Sequence, residues 1–280
     1  MNRQLNLFYP QWQGGGQDRS TYFGALELKL NYLKGMELSE IEVSLHNAKE
    51  VKNDIFAYDE ILVQMGKARV LLDEKKPDYI FTIGGGCDAG ILPLSYLNKK
   101  LNGDLTVLWF DAHGDINSPL SSKSKHFYGM PVRVLLGESE SKILDLTYLD
   151  LLPQQLLMLG LRDLDEAENK YIKKHNIAVL GVAEIENNLE KVIASVKAKR
   201  NHNIYIHLDL DALDPEEFPY IPVPSQGGLK VKTLSVLLNM LEKEFNLSGV
   251  GLFEYQPSGI TSIGLLEEVV RIATGTAGTA

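Results

Sequence analysis

The sequence predicts an α/β fold, a parallel sheet covered on both faces by helices, and three observations carry that expectation. Short apolar runs alternate with longer stretches of helical periodicity. The short runs are apolar on successive residues, as in Val107-Leu108-Trp109-Phe110, so both sides of each strand are buried. No linker, low-complexity run or internal repeat interrupts the alternation, and the chain is read as one domain, 1–280.

Taken in order, Leu5 to Tyr9 is a first strand, and the glycines of Pro10-Gln11-Trp12-Gln13-Gly14-Gly15-Gly16 make a loop. Tyr22 to Leu33 has helical apolar spacing and is stopped by Gly35. Ile41 to Leu45 alternates like a strand, and Ile55 to Leu72 is long, periodic and helical. Tyr79 to Ile83 is a β-rich run that ends in the glycine-rich turn Gly84 to Gly90, and helical periodicity resumes over Ile91 to Leu97. Leu105 to Phe110 is the next buried strand, and Tyr128 to Leu136 lies in or near a helix. Leu156 to Gly160 is a strand, followed by Arg162-Asp163-Leu164-Asp165 and a polar helix over Glu166 to Lys174. Strands over Ile177 to Leu180, Ile204 to Leu208 and Val250 to Phe253 then interleave with helices over Val192 to Lys199 and Leu234 to Phe245. A helix over Leu265 to Ala273 closes the pattern.

An apolar fraction of 44% beside 23% charged residues is ordinary for a globular protein that buries a substantial core without staples. A net charge of −9 weighs against nucleic acid or an anionic membrane surface as partner. The one cysteine, Cys87, excludes an internal disulfide and fits a reducing compartment. Met1 to Leu7 has no apolar signal core, and no apolar run approaches membrane-spanning length. The sequence therefore reads as cytoplasmic.

The chemistry begins where an apolar run ends in Asp111-Ala112-His113-Gly114-Asp115, three metal-capable side chains at a spacing of two. If the backbone stays extended there, alternation points all three to one side. The pattern returns at the end of the run from Ile204, with Asp209 and Asp211. Turn and cap chemistry is the bland reading of both groups, and Asp214-Pro215 reads that way. In parallel sheets, however, ligands bind outside the carboxyl ends of the strands. Cys87, the Asp111 group, Asp209 with Asp211, and Glu254 all fall at such ends. Carboxylates brought together repel unless cations neutralise them. Carboxylate oxygens with one imidazole suit manganese better than zinc or copper.

Asp-Ala-His-Gly-Asp, Asp209-Leu210-Asp211-Ala212-Leu213-Asp214-Pro215, Gly227-Gly228-Leu229, and Glu254 before Gln256-Pro257 together resemble the arginase, agmatinase and formiminoglutamase superfamily, the ureohydrolases. The resemblance covers about Thr82 to Pro257. It implies a three-layer α/β/α domain with a mainly parallel eight-stranded sheet, a binuclear manganese centre, and trimers or hexamers. Position by position, it implies that Asp111 and Asp209 bridge two metals, that His113 and Asp211 complete one site, and that Asp115 belongs to the other.

Two departures stand out. Where the family has a ligand histidine in Gly-Gly-Asp-His, this chain has Gly84-Gly85-Gly86-Cys87. A thiolate matches zinc or iron better than manganese, so one metal site is expected intact and the other weak, altered or filled by another divalent ion. The bland alternative is an inert buried cysteine; Asp88 substitutes only if the loop is redrawn. Second, the family's proton-shuttling histidine before Gly-Met-Pro is replaced by Tyr128, whose phenol titrates too high for that task. His126 is the candidate replacement, with an exposed loop histidine as its bland reading.

Arg162-Asp163-Leu164-Asp165 with Glu168 resembles the segment whose acids contact the substrate's amino end, although a helix cap explains Asp163 or Asp165 nearly as well. Glu254 would pair with a guanidinium, Asn117 and Ser118 would line the entrance, and the Trp12 to Gly15 loop could cover the site. The function implied is hydrolysis of a C–N bond in a guanidino or amidine compound, with Asp115 passing a proton to the departing amine. Cys87 and Tyr128 motivate a rival, a family member without catalysis that serves as a binding or structural subunit. A third reading is a hydrolase with a mixed or softer metal pair.

Overall fold

The computed structural model describes residues 3–275. In chain order its elements are β1 (Gln4–Tyr9), α1 (Ser20–Tyr32), β2 (Ser39–Glu40), β3 (Val51–Lys52), β4 (Ile55–Phe56), α2 (Tyr58–Lys75), β5 (Tyr79–Gly84), α3 (Ile91–Lys100) and β6 (Leu105–Phe110). There follow α4 (Pro131–Leu135), α5 (Ser141–Leu144), β7 (Leu156–Leu159), α6 (Glu166–Lys174), β8 (Ala178–Leu180), α7 (Val182–Asn187), α8 (Leu189–Lys199), β9 (Asn203–Asp209), α9 (Val231–Glu244), β10 (Asn246–Phe253) and α10 (Gly264–Thr274).

Eight of the strands form one sheet in the order β2-β1-β5-β10-β9-β6-β7-β8, and every pairing in it is parallel. Alternation sorts the strand residues between two cores. Leu105, Val107, Trp109 and Tyr205 face α2 and α3, while Leu108, Phe110, Ile204, Ile206 and Leu208 face α1, α8, α9 and α10. α9 commits one face, burying Leu234, Leu237, Leu238 and Leu241, the spacing of a single helical stripe, whereas α3 is buried all round from Ile91 to Asn98. The result is the three-layer α/β/α architecture with an eight-stranded parallel sheet. Among the described residues, no helix is long and apolar enough to cross a membrane.

Three local expectations are corrected. The strand placed at Ile41 to Leu45 lies instead at Ser39–Glu40, paired with Leu7 and Phe8 of β1. Ile55 and Phe56 do not begin the long helix; they pair with Val51 and Lys52 in a small antiparallel hairpin turned by Asn53 and Asp54, both at positive φ. The helix α2 starts after them, at Tyr58. Finally, the chain leaves the sheet at Phe110, and Asp115 has φ 49°, so residues 111–115 are a turn. Strand alternation therefore does not orient His113 and Asp115.

The strand order has one feature that matters for the site. β5 and β6 are successive in the chain, yet β10 and β9 lie between them. The carboxyl ends of four adjacent strands, β5, β10, β9 and β6, thus open together at the point where the winding reverses, the position at which α/β sheets bind ligands.

Candidate metal centre

Each of those four strands delivers metal-capable side chains. After β5, the turn Gly85-Gly86 carries Cys87 and Asp88 into a 3-10 turn. β10 hands over to Glu254, which has φ 57° and whose amide donates to Gly85 O at 2.8 Å. β9 ends in Asp209, and a 3-10 turn over Leu210–Ala212 carries Asp211. β6 is followed by Asp111, His113 and Asp115. Asp111, Asp115, Asp209, Asp211 and Glu254 are all buried, and so is Cys87.

Backbone amides and side chains fix the acids individually. His113 N donates to Asp111 Oδ1 at 2.6 Å, Asp211 N to Asp209 Oδ1 at 2.7 Å, and Ala112 N to Asp211 Oδ1 at 2.8 Å. The Trp109 indole donates to Asp111 Oδ2 at 3.0 Å, and Cys87 N donates to Glu254 Oε1 at 3.3 Å. Around Asp111, the His113 Nδ1 lies 2.8 Å from Asp211 Oδ2 and 3.6 Å from Asp111 Oδ1. On the other side, Cys87 Sγ lies 3.0 Å from Asp209 Oδ2. Asp115 Oδ2 is buried without a hydrogen-bond partner.

This many carboxyls in one dry place are not tolerated as anions by protein groups alone. Burial, then the charge of Asp211, pushes Asp111 up to about 7. Burial and neighbouring acids likewise raise Asp115, Asp209 and Glu254 well above the carboxylate range. Burial opposes protonation of His113, but its contacts with Asp111 and Asp211 outweigh that and hold the imidazole charged. The cluster must take up positive charge, as protons or as cations. Its donors are close enough to hold cations: ligand atoms of Asp111, His113 and Asp211 lie within 4.8 Å of one another, and so do those of Cys87, Asp209 and Glu254. The first group, oxygens with one imidazole, fits a hard divalent ion. The second includes sulfur.

The remaining predicted residues surround this cluster. Asp165 caps α6 in a reciprocal pair with Glu168, at 2.9 and 3.0 Å. Asn117 donates to Asp165 Oδ2 at 2.9 Å, and Glu168 is buried against the turn at Gly114 and Ile116. These three brace the Asp111 to Asp115 turn from outside. Asp163 is exposed, with Oδ2 3.7 Å from His113 Nε2. Ser118 forms a local turn with Ser121. The Arg162 guanidinium fans onto the carbonyls of Asp211, Leu213 and Ser225, stapling the turns after β7 and β9.

Tyr128 lines a narrow cavity of about 70 Å³ with Trp12, Gly15, Asp18, Gly86 and Glu254. The Trp12 loop is therefore one wall of the space in front of Glu254. One backbone and one indole hydrogen bond hold it there: Gly86 N donates to Gln11 O at 2.8 Å, and Trp12 Nε1 to Ser44 O at 2.9 Å. Burial, then the charges of Glu254 and Asp115, pushes the Tyr128 phenol up to about 12. His126 stands further out, half-buried, its ring 5.6 Å from that of Tyr128 and against Phe56 and Gly16. Asp88 is buried and faces Glu254 across Gly86, with Oδ1 unpartnered and no place in either ligand group.

One residue at the centre went unread in the sequence. His207 of β9 is buried, stacked between Trp109 (3.4 Å, 7°) and Phe253 (4.3 Å, 18°), with Nε2 3.1 Å from Cys87 Sγ. The available signal was its phase: positions 205, 207 and 209 of one strand share a face, so His207 points where Asp209 points.

Comparison with known proteins agrees with this geometry. A model of the arginase family matches residues 18–264. The arginase of Staphylococcus aureus (strain MRSA252) is 30% identical over 239 residues, covering 83% of this chain and 78% of its own length. The arginase of Bacillus subtilis (strain 168) is 29% identical over 251 residues, covering 84% and 83%. In fold alone, the crystal structure of Entamoeba histolytica arginase superposes with a TM-score of 0.85 at 20% identity, over 97% of both chains. With a family match across most of its length and a curated relative at that identity, the chain belongs to the arginase family of ureohydrolases.

Proposed function

We propose that this protein is a metal-dependent hydrolase that cleaves a C–N bond of a guanidino or related amidine compound. One observation carries the reading: buried acids from four adjacent strand ends adjoin a narrow cavity that has Glu254 in its wall. Asp111, Asp209, Asp211 and His113 would hold one divalent ion, and Asp115 and Cys87 would contribute to the second. Manganese at the oxygen-rich position around His113, a homo-oligomeric assembly and a cytoplasmic setting belong to the same reading. When bound, such ions supply a nucleophile from water at neutral pH and Lewis acidity toward the substrate.

The chain's own groups do the rest. Glu254, oriented by the Cys87 amide, accepts hydrogen bonds from the planar cation, and the fork of a guanidinium matches a carboxylate. The cavity has room for only a few water-sized groups, so a planar head fits and the body of the substrate stays toward the rim. Asp115, with Oδ2 uncommitted, takes a proton and returns it to the departing amine. Burial lowers His126, keeping its imidazole neutral at pH 7 and able to carry a proton outward. At the rim, Asp163 is the exposed acid that meets a substrate's amino end; Asn117, Asp165 and Glu168 set the turn beside it.

Purified protein loaded with manganese, assayed for urea or formamide release from arginine, agmatine, guanidinobutyrate and formiminoglutamate, is expected to turn over at least one of them. Glu254→Gln should cost about 10²–10³ in rate. No turnover of any substrate at full metal occupancy would discard the reading. Tyr128 favours a second one, a family member that binds without turnover, because its phenol keeps its proton at neutral pH. Activity that appears only after Cys87→His and Tyr128→His together would favour that alternative.

A further inference from the structure

We propose that the metal position beside β5 is a thiolate–imidazole–carboxylate site, in which His207 joins Cys87 and Asp111 as a ligand, and that it selects a borderline-soft ion such as zinc or cobalt over manganese. This rests on the reading of the strand-end cluster as a metal centre and specifies its second half.

Ligand atoms of Cys87, Asp111 and His207 lie within 4.8 Å of one another, and all three residues are buried. The thiol is not isolated in apolar packing, because both polar side-chain atoms in contact with it, His207 Nε2 at 3.1 Å and Asp209 Oδ2 at 3.0 Å, are themselves metal donors. Asp115 stands in the same field, with Oδ2 buried and unpartnered. The imidazole is not free to turn away. Trp109 covers one face and Phe253 the other, and Nδ1 has no partner, so Nε2 is the only nitrogen through which the ring makes a polar contact.

The spacing is that of a hydrogen bond, not yet of two ligands on one ion. Sulfur at about 2.3 Å and nitrogen at about 2.0 Å from zinc stand about 3.5 Å apart in tetrahedral geometry. Receiving an ion therefore asks Cys87 to turn by a few tenths of an ångström. Donor softness then decides the occupant. One sulfur and one imidazole favour zinc, cobalt or iron, whereas manganese is held least tightly by such donors. The oxygen-rich group around His113 has no sulfur. The chain thus carries two chemically unlike positions side by side, and the imidazole missing from the turn after β5 is supplied from the next strand but one.

Cobalt titration of chelator-stripped protein gives the test, read by absorption and not by activity. A thiolate-to-cobalt charge-transfer band is expected in the near ultraviolet, abolished by Cys87→Ser and kept by His113→Asn. His207→Gln should weaken the cobalt responsible by at least about tenfold. Zinc should displace that cobalt, and a large excess of manganese should not. Cobalt bound without the band, or a band that manganese removes at equal concentration, would overturn the proposal. So would unchanged cobalt affinity in folded His207→Gln. If that variant does not fold, anomalous diffraction from zinc-soaked wild-type crystals decides: an ion within bonding distance of both Cys87 and His207 supports the site, and one touching neither or only one removes it. Failure to bind any metal would instead defeat the underlying reading as well.

Discussion

Gly251 stands opposite His207 in the β9–β10 register, and its lack of a side chain lets the Phe253 ring fold back beneath the imidazole. A methyl group at Gly251 would overlap that ring and crowd the Tyr205 hydroxyl at 2.7 Å. Both rings sit on strand backbone in a fully packed layer, so neither can yield cheaply. Gly251→Ala is expected to destabilise the protein by about 1–3 kcal/mol in urea denaturation. It should also weaken metal binding at Cys87 more than at His113, because only the first depends on the ring stack. Equal stability of the two proteins would show that the stack has slack. At this scale the sequence was legible for acids and opaque for His207. A single histidine inside an apolar run looks like core filling, and its meaning depends on what the neighbouring strands set beside it.

Among the elements, strands buried on both faces were readable because every residue reports its burial. The sheet from β5 to β10 lies where apolar runs predicted it. Two-residue strands and one-turn helices carry too few residues for a period, so the β3–β4 hairpin and α5 were not visible. The condition of an extended backbone after β6 fails for a related reason: the repeat in Asp111, His113 and Asp115 imitates a strand, while the amides and Glu168 bend it into a turn. Asp165 and Glu168 show the cost of such ambiguity, since one pair of acids serves as helix cap and as brace for the turn from Asp111 to Asp115. Across the sheet, α1 is locked to the segment after Glu254 by Glu27, which accepts from Ser258 N, Gly259 N and the Tyr255 hydroxyl. Burial raises Glu27, but these bonds outweigh it and leave its pKa below 4.5. A carboxyl lowered by folding contributes stability in full above its unfolded value and loses it as the pH falls through the folded one. Glu27→Gln should therefore cost about 1–2 kcal/mol at pH 7, and the gap from wild type should narrow in urea denaturation as acidification protonates Glu27. A difference that does not change with pH would mean that the bonds do not depend on the charge.

For the molecule as a whole, the centre is a concentration of negative charge inside the layer that holds the sheet together. Ions bound there would neutralise acids that otherwise take up protons, and they would bind only the folded chain. At about a hundredfold excess over Kd, each ion adds about 2.7 kcal/mol, so stripping with chelator should lower the melting temperature by roughly 5–10 °C. Calorimetry with and without added manganese checks this; identical transitions would mean that the folded cluster gains nothing from cations. The strand order has a further consequence for biosynthesis. Because β9 and β10 follow β5 and β6 in the chain yet lie between them in the sheet, a nascent chain presents β5 and β6 with their inner edges bare until both later strands emerge. A polypeptide without β9 and β10 lacks Asp209, Asp211 and Glu254, so the cluster is incomplete until those strands dock, and the same late insertion leaves an interval in which the unfinished sheet can stick to its neighbours.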